Sequence, residues 1–269
     1  MAYALEYGYK VEDYTLAFCN YHDGSSSIRF LENYHRFQFF EFPKPKFRFV
    51  NRVKWKFRNR VFPNTQIIEN YDPNFELQNL KPNHSYELKG FHFSSGNLAL
   101  KHRSKICEIL LFRENEILPI HNLLFDAQKR YEILVGLHIR QNDFKTFYDG
   151  KYFVSVDQYL RSIEHFKSLM PNGVSIGIVV CSDDEKLLMK MQRKHPDYIY
   201  PKGNVAQDMT ALSKCDYIIG PKATTMSAWA SFAQRIPILQ IDSFNKEFSI
   251  SDFKNVDTLE PFTPFLQSN

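Results

Sequence analysis

Three short polar clusters carry the residue types that handle an anionic ligand. The first is His138-Ile139-Arg140. Its two polar residues stand two apart, so an extended backbone points both to the same side. The second, Ser182-Asp183-Asp184, follows the apolar run Val174–Cys181. The third, Thr224-Thr225-Met226-Ser227, follows Asp216–Gly220 and stands where a helix begins. A helix start offers free N–H groups and the positive end of a dipole, and hydroxyls add donors. An arginine facing such a start would complete a diphosphate site. Each cluster also has a plain structural reading. Arg140 suits a salt-bridged strand end, and His138 suits a hydrogen-bonded core histidine. Ser182 and Glu185 have the Ser-x-x-Glu spacing of a capping box, and Thr224, Thr225 and Ser227 suit helix caps. The functional reading rests on their coincidence at one edge of a sheet. Neither a Walker motif nor GxGxxG is present.

The elements that must position these clusters follow from periodicity. Ile133–Ile139 and Val174–Cys181 are apolar on both faces, as buried parallel strands are. Tyr198–Tyr200, Asp216–Gly220 and Pro237–Ile241 read as further strands. Helical patterns cover Val156–Leu169, the run from the Ser182 cap to Lys194, Ala206–Lys214 and Thr225–Gln234. This alternation predicts a doubly wound parallel sheet, whose ligand sits beyond the carboxyl ends of the strands. Upstream, Thr65–Ile68 and Tyr86–Phe93 read as strands. Leu98–Phe112 and Asn122–Glu132 read as helices split by Pro119. Two α/β domains are expected, 1–132 and 133–250, with a tail at 251–269 packing back.

Composition removes several classes. Hydrophobic residues make up 43% and charged residues 24% of 269, which fits a globular chain and excludes disorder. No apolar run of about 18 residues is present to form a membrane-spanning helix. The start lacks a basic region followed by an apolar one, so a cytoplasmic protein is expected. Cys19, Cys107, Cys181 and Cys215 lie far apart without a CxxC, which suits reduced thiols better than a zinc site or disulfides. No Asp-x-Asp follows a strand, so no metal ligands are assigned.

Charge is concentrated in one stretch. Phe37–Phe62 holds eight basic residues against Glu41, which is +7 in a chain whose total is +4. Its aromatic residues alternate with Lys and Arg. One reading is peripheral contact with the inner face of a membrane, or with an anionic lipid-linked substrate. Another is a basic-edged element whose aromatics belong to a core. Nucleic acid is not expected as a partner, because no nucleic-acid-binding motif accompanies the patch.

LHIRQNDF (137–144) resembles the His-x-Arg-x-x-Asp signature of the fucosyltransferase superfamily. It is most similar to bacterial family 11 α-1,2-fucosyltransferases, whose usual form is HIRRGDY. The resemblance continues in order through GKYFVSVDQYLRSIEHF (150–166), VVCSDDEKLL (179–188) and DMTALSKCDYIIGPKATTMSAWASFAQRIPIL (208–239). Upstream, LKGFHFSSGN (88–97) resembles a first-domain motif. The resemblance implies a GT-B fold, with two facing Rossmann-like domains built on parallel sheets. It implies an inverting galactoside 2-α-L-fucosyltransferase that uses GDP-fucose, a glycan acceptor and no cofactor or bound metal. By that resemblance Arg140 contacts the β-phosphate, and His138 and Asp208 read the guanine. Thr224 and Thr225 hold phosphate oxygens with Ser227 beside them, and Ser182 and Asp183 line the nucleotide pocket. Asp143 is the nearest carboxylate for deprotonating the acceptor, with a loop-orienting role as its alternative. The sequence departs from the pattern at Gln141, Asn142 and Ala228, where the family has Arg, Gly and Trp. The family's opening Gly-rich loop has no counterpart. Met1–Tyr7 reads as the end of a helix, so the first domain is expected to be short at its start. Two other functions remain open: a glycosyltransferase with a different nucleotide sugar, and an inactive nucleotide- or glycan-binding relic.

Overall fold

In the computed structural model, residues 65–69, 85–89, 96–109, 112–242 and 247–255 are described. Phe37–Phe62 and the amino-terminal segment lie outside them, as does most of the 88–97 motif. The chain divides into two units, Met1–Leu111 with Phe265–Asn269 and Phe112–Pro264. The division falls at 111/112, ahead of the boundary expected at 132. The helix between those points packs on the second unit's sheet and shares its core.

In the first unit, β1 (Thr65–Glu69) and β2 (Ser85–Lys89) pair in parallel, with Thr65 opposite Ser85. Two short helices follow, α1 (Gly96–Lys101) and α2 (Arg103–Ile109), where one helix over 98–112 was expected.

The second unit begins with α3 (Glu114–Gln128). Pro119 lies inside this helix instead of splitting it. The proline forfeits one backbone bond. Ile120, Leu124 and Ala127 recur at helical spacing and bury one face, which holds the helix through that position. Next come β3 (Ile133–Ile139), α4 (Val156–Ser168), β4 (Ile176–Ser182), α5 (Glu185–Lys194), α6 (Val205–Leu212), β5 (Tyr217–Pro221), α7 (Thr225–Gln234) and β6 (Ile238–Ile241). All four strands are parallel, in the order β4-β3-β5-β6. The expected strand at 198–200 is a single bridge, Val179 to Ile199, because too few residues align there to form a ladder.

The strands are covered on both faces, and their side chains sort by parity. Val135, Leu137 and Ile139 of β3 pack with Tyr159, Ile163 and Phe166 of α4 and Leu188 and Met191 of α5. Leu134 of β3 joins α3, α6 and α7 on the other face. Burying one such aliphatic or aromatic side chain stabilises by roughly 1.5–3 kcal/mol. Phe253, in the segment after β6, also enters the first of these clusters, and Lys254 bridges to Ile238.

Helix starts differ in how they are capped. Ser155 closes a capping box with Gln158 at α4, and Asn204 does the same with Gln207 at α6. At α5 the cap is Asp184, whose carboxylate accepts from Leu187 N–H, so the helix starts two residues later than the Ser182 spacing predicts. Ser182 Oγ instead accepts from Asp184 N–H at 3.2 Å. The Asp184 carboxylate takes the Leu187 N–H at the third helical position, which displaces the Ser-Glu pairing. At α7 the cap residue Thr224 makes no side-chain capping bond.

Candidate functional site

The strand order places a topological switch between β3 and β5. The chain leaves β3 through α4 on one face of the sheet and leaves β5 through α7 on the other. The connections therefore diverge, and a crevice opens at the carboxyl ends of these two strands, where ligands of such sheets bind.

His138 sits at that end of β3 and is fully buried. It faces the α7 side, with the opposite parity to Leu137 and Ile139. Neither of its ring nitrogens has a hydrogen-bond partner. Burial, and then the charge of Arg140, lower its pKa to about 3, so the ring is neutral. Ser227, on the first turn of α7, is also fully buried, and its hydroxyl has no partner. Gly220 joins the two. A Cβ there would come within 2.8 Å of Ser227 Oγ and 3.5 Å of His138 Cβ. A glycine is thus required for α7 to approach β5 this closely. Buried polar groups are nearly always satisfied. Two unsatisfied ones lie beside the uncapped start of α7. Thr224 is buried at that start, and Thr225 is exposed.

Arg140 lies just past β3. Its Nε and Nη2 donate to the two carboxylate oxygens of Asp143, each at 2.8 Å. Asp183 adds a second carboxylate at 3.5 Å from Nε. Of the five guanidinium N–H groups, three remain for an anion. Burial works against the Arg140 charge, but the bonds and charges of Asp143 and Asp183 outweigh it and raise the pKa. Burial likewise pushes Asp143 up, yet the Arg140 pairing holds its carboxyl below the usual range. This makes Asp143 the counter-ion of Arg140 and a poor proton acceptor. The guanidinium also lies 5.7 Å from the Phe144 ring centroid.

Gln141 has a role that a comparison of motifs hides. Its side chain is buried, with Nε2 donating to Val154 O at 2.8 Å. It therefore runs to the opposite face from His138 and Arg140, continuing the parity of Ile139. The same alternation that puts His138 and Arg140 on one side put Gln141 on the other, so the signal was present in the sequence.

Asp208, on α6, is buried on the same face of the sheet as His138, in contact with Cys181, which pairs with His138 across β3 and β4. Burial dominates its titration and raises its pKa to about 7, against weaker bonds from the Cys181 thiol and the Gly203 N–H. Cys181 is itself fully buried. Ser182 is half-buried and spent on the turn into α5. The nine expected site residues thus fall into sets: His138, Thr224, Thr225 and Ser227 at the switch point, Arg140 with Asp143 and Asp183 at its rim, Asp208 on the neighbouring helix, and Ser182 in the turn. Gly220 was missed, because nothing in the sequence says which residue it faces. Among the described residues no group of three His, Cys, Asp or Glu side chains could hold a metal ion. Among the same residues no helix is long and apolar enough to cross a membrane.

A doubly wound unit with an arginine and hydroxyl side chains at its switch point has the architecture in which α/β sheets hold ligands beyond the carboxyl ends of their strands. The sequence model of glycosyl transferase family 11 matches residues 97–255, more than half of the chain, and this protein belongs to that family. Among curated proteins nothing matches. Solved structures similar to it include NodZ α-1,6-fucosyltransferase co-crystallised with GDP, at 14% identity and a TM-score of 0.45 over 74% of this chain and 65% of that one. Fucosyltransferase NodZ from Bradyrhizobium gives 14% and 0.44 over 73% and 65%. POFUT1 in complex with GDP-fucose gives 13% and 0.38 over 53% and 47%. The chain spans just under two thirds of the NodZ chain's length. The α/β class and the parallel sheets are as expected.

Proposed function

We propose that this protein transfers fucose from GDP-fucose to a hydroxyl of a glycan, as an inverting galactoside 2-α-L-fucosyltransferase. The observation that carries the reading is the pair of buried, unpartnered polar groups, His138 and Ser227, at the switch point within the family-matched region. The pyrophosphate is assigned to the uncapped start of α7, where Thr224, Thr225 and backbone N–H groups meet it. The three uncommitted N–H groups of Arg140 balance the charge that develops on the departing β-phosphate. The acceptor oxygen attacks the anomeric carbon of fucose, the bond to the diphosphate breaks, and GDP leaves with the electron pair. The hydroxyl proton goes to a base other than Asp143, whose two oxygens are committed to Arg140. His138 and Asp208 are assigned to recognition of the guanine ring of the nucleotide. A guanine edge donates through N1–H and N2–H, which would hold the Asp208 carboxyl ionised although burial alone raises its pKa to about 7.

The test is a ranking of GDP against UDP, ADP and CMP by thermal shift, followed by product analysis with GDP-fucose and lactose. GDP should give the largest shift, and the product should be a 2-fucosylated galactoside. A larger shift with UDP would replace the donor, and GDP binding without any turnover would make the chain a binding protein.

A further inference from the structure

We propose that Asp183 is a positioning residue that aims Arg140, and that it does not touch the nucleotide. This rests on the reading of Arg140 as the cation that meets the diphosphate. One carboxylate oxygen of Asp183 accepts from the Gln141 N–H at 2.9 Å, and the other accepts from the Asn142 N–H at 3.2 Å. These are the two peptide groups that follow Arg140 directly. The second oxygen is also the one that lies 3.5 Å from Arg140 Nε. The backbone carbonyl of Asp183 in turn accepts from Asn142 Nδ2 at 2.6 Å.

The loop leaving β3 is thus fastened on one side to the start of α5 and on the other to Val154 through Gln141. Asp183 itself is held by a rigid element. Its neighbours Ser182 and Asp184 form the turn and the cap of α5. A carboxylate is an acceptor only, and it repels a diphosphate. Its charge faces three donors of this chain, so its chemistry is spent on orienting them. Asp143 sets the guanidinium plane, and Asp183 sets the backbone from which that side chain springs. Sub-ångström placement of a charge-stabilising group is worth large factors in rate.

The experiment compares Asp183→Asn with wild type, each in the Arg140 and Arg140→Lys backgrounds. The amide keeps one acceptor oxygen and turns an NH₂ group toward a backbone donor. GDP and guanosine binding are measured by calorimetry, and kcat is measured with GDP-fucose and lactose. The expected results are a roughly 10- to 100-fold fall in kcat and weakened GDP binding in the Arg140 background, unchanged guanosine affinity, and a further loss below about 2-fold in the Arg140→Lys background, where the fork to be aimed is gone. Equal losses for guanosine and GDP would place Asp183 on the nucleoside and overturn the proposal. Full additivity with Arg140→Lys would overturn it as well. If wild type binds no GDP, the donor reading falls and takes this proposal with it. Should Asp183→Asn lack a cooperative melt, Asn142→Ala is read the same way, because it removes only the tether to the Asp183 carbonyl.

Discussion

Replacing His138 with leucine should stabilise the ligand-free protein while removing nucleotide binding. The imidazole is fully buried, and both ring nitrogens lack a partner. An unsatisfied buried polar group costs about 1–3 kcal/mol, and an apolar side chain of similar volume avoids that cost. At pH 7 the variant should therefore gain about 1–3 kcal/mol, or a few degrees in Tm. The gain must depend on pH. Burial depresses the folded-state pKa of His138 from 6.5 to about 3. Between those values the unfolded chain binds the proton and the folded one does not. The stability of the wild type with respect to this group is thus complete above 6.5 and falls as the pH falls. From pH 7 to pH 5 the loss is about 2 kcal/mol, and leucine escapes it. Asp208 titrates in the opposite sense over the same range, so absolute stabilities would conceal the effect. The difference between variant and wild type cancels the Asp208 contribution. Urea unfolding at pH 5 and pH 7 reads that difference directly. A variant less stable than wild type by more than about 1 kcal/mol would mean that the ring nitrogens are satisfied. A gap that stays constant between the two pH values would refute the neutral, buried histidine. A GDP-induced thermal shift that survives the substitution would remove His138 from the site.

Arg140→Ala should cost on the order of 3 kcal/mol of transition-state stabilisation, a rate loss of about a hundredfold or more, and near-normal turnover would sink its role. For Asp208 the folded pKa is raised to about 7 by burial, so its contribution to stability is present below the ordinary carboxylate pKa and is lost as pH rises through about 7. Asp208→Asn should flatten that decline between pH 5 and 8 in urea unfolding; an unchanged slope would contradict a buried carboxyl at 208. Gly220→Ala puts a methyl 2.8 Å from Ser227 Oγ. It should destabilise by roughly 1–3 kcal/mol and weaken GDP binding, and a neutral melt with normal binding would show that α7 is free to move away.

The elements that build the site were legible where backbone physics is local. Parity along 133–139 marks a strand covered on both faces, and it separates His138 and Arg140 from Ile139 and Gln141. The same parity, carried one residue further, accounts for Gln141 as a buried tether to Val154. Helix periodicity placed α4 and α7 within a residue of their ends. Pro119 misled because its cost is local, whereas the burial of Ile120, Leu124 and Ala127 that outweighs it comes from the sheet. Ser182 misled for a related reason. Two aspartates follow it, and only the folded turn selects Asp184 as the cap.

The sequence by itself determined the α/β alternation, the carboxyl-end position of the three polar clusters and the family signature. These depend on periods of 2 and 3.6 residues and on residues adjacent in the chain. Tertiary structure decided the partners. Asp183 reaches back 42 positions to the Gln141 N–H, Gly220 makes room for Ser227 against His138, and Asp143 spends both of its oxygens on Arg140. Sequence separation carries no information about such distances. They are set by which strands pair and by how closely each helix packs on the sheet, and pairing and packing come from the burial of the whole core.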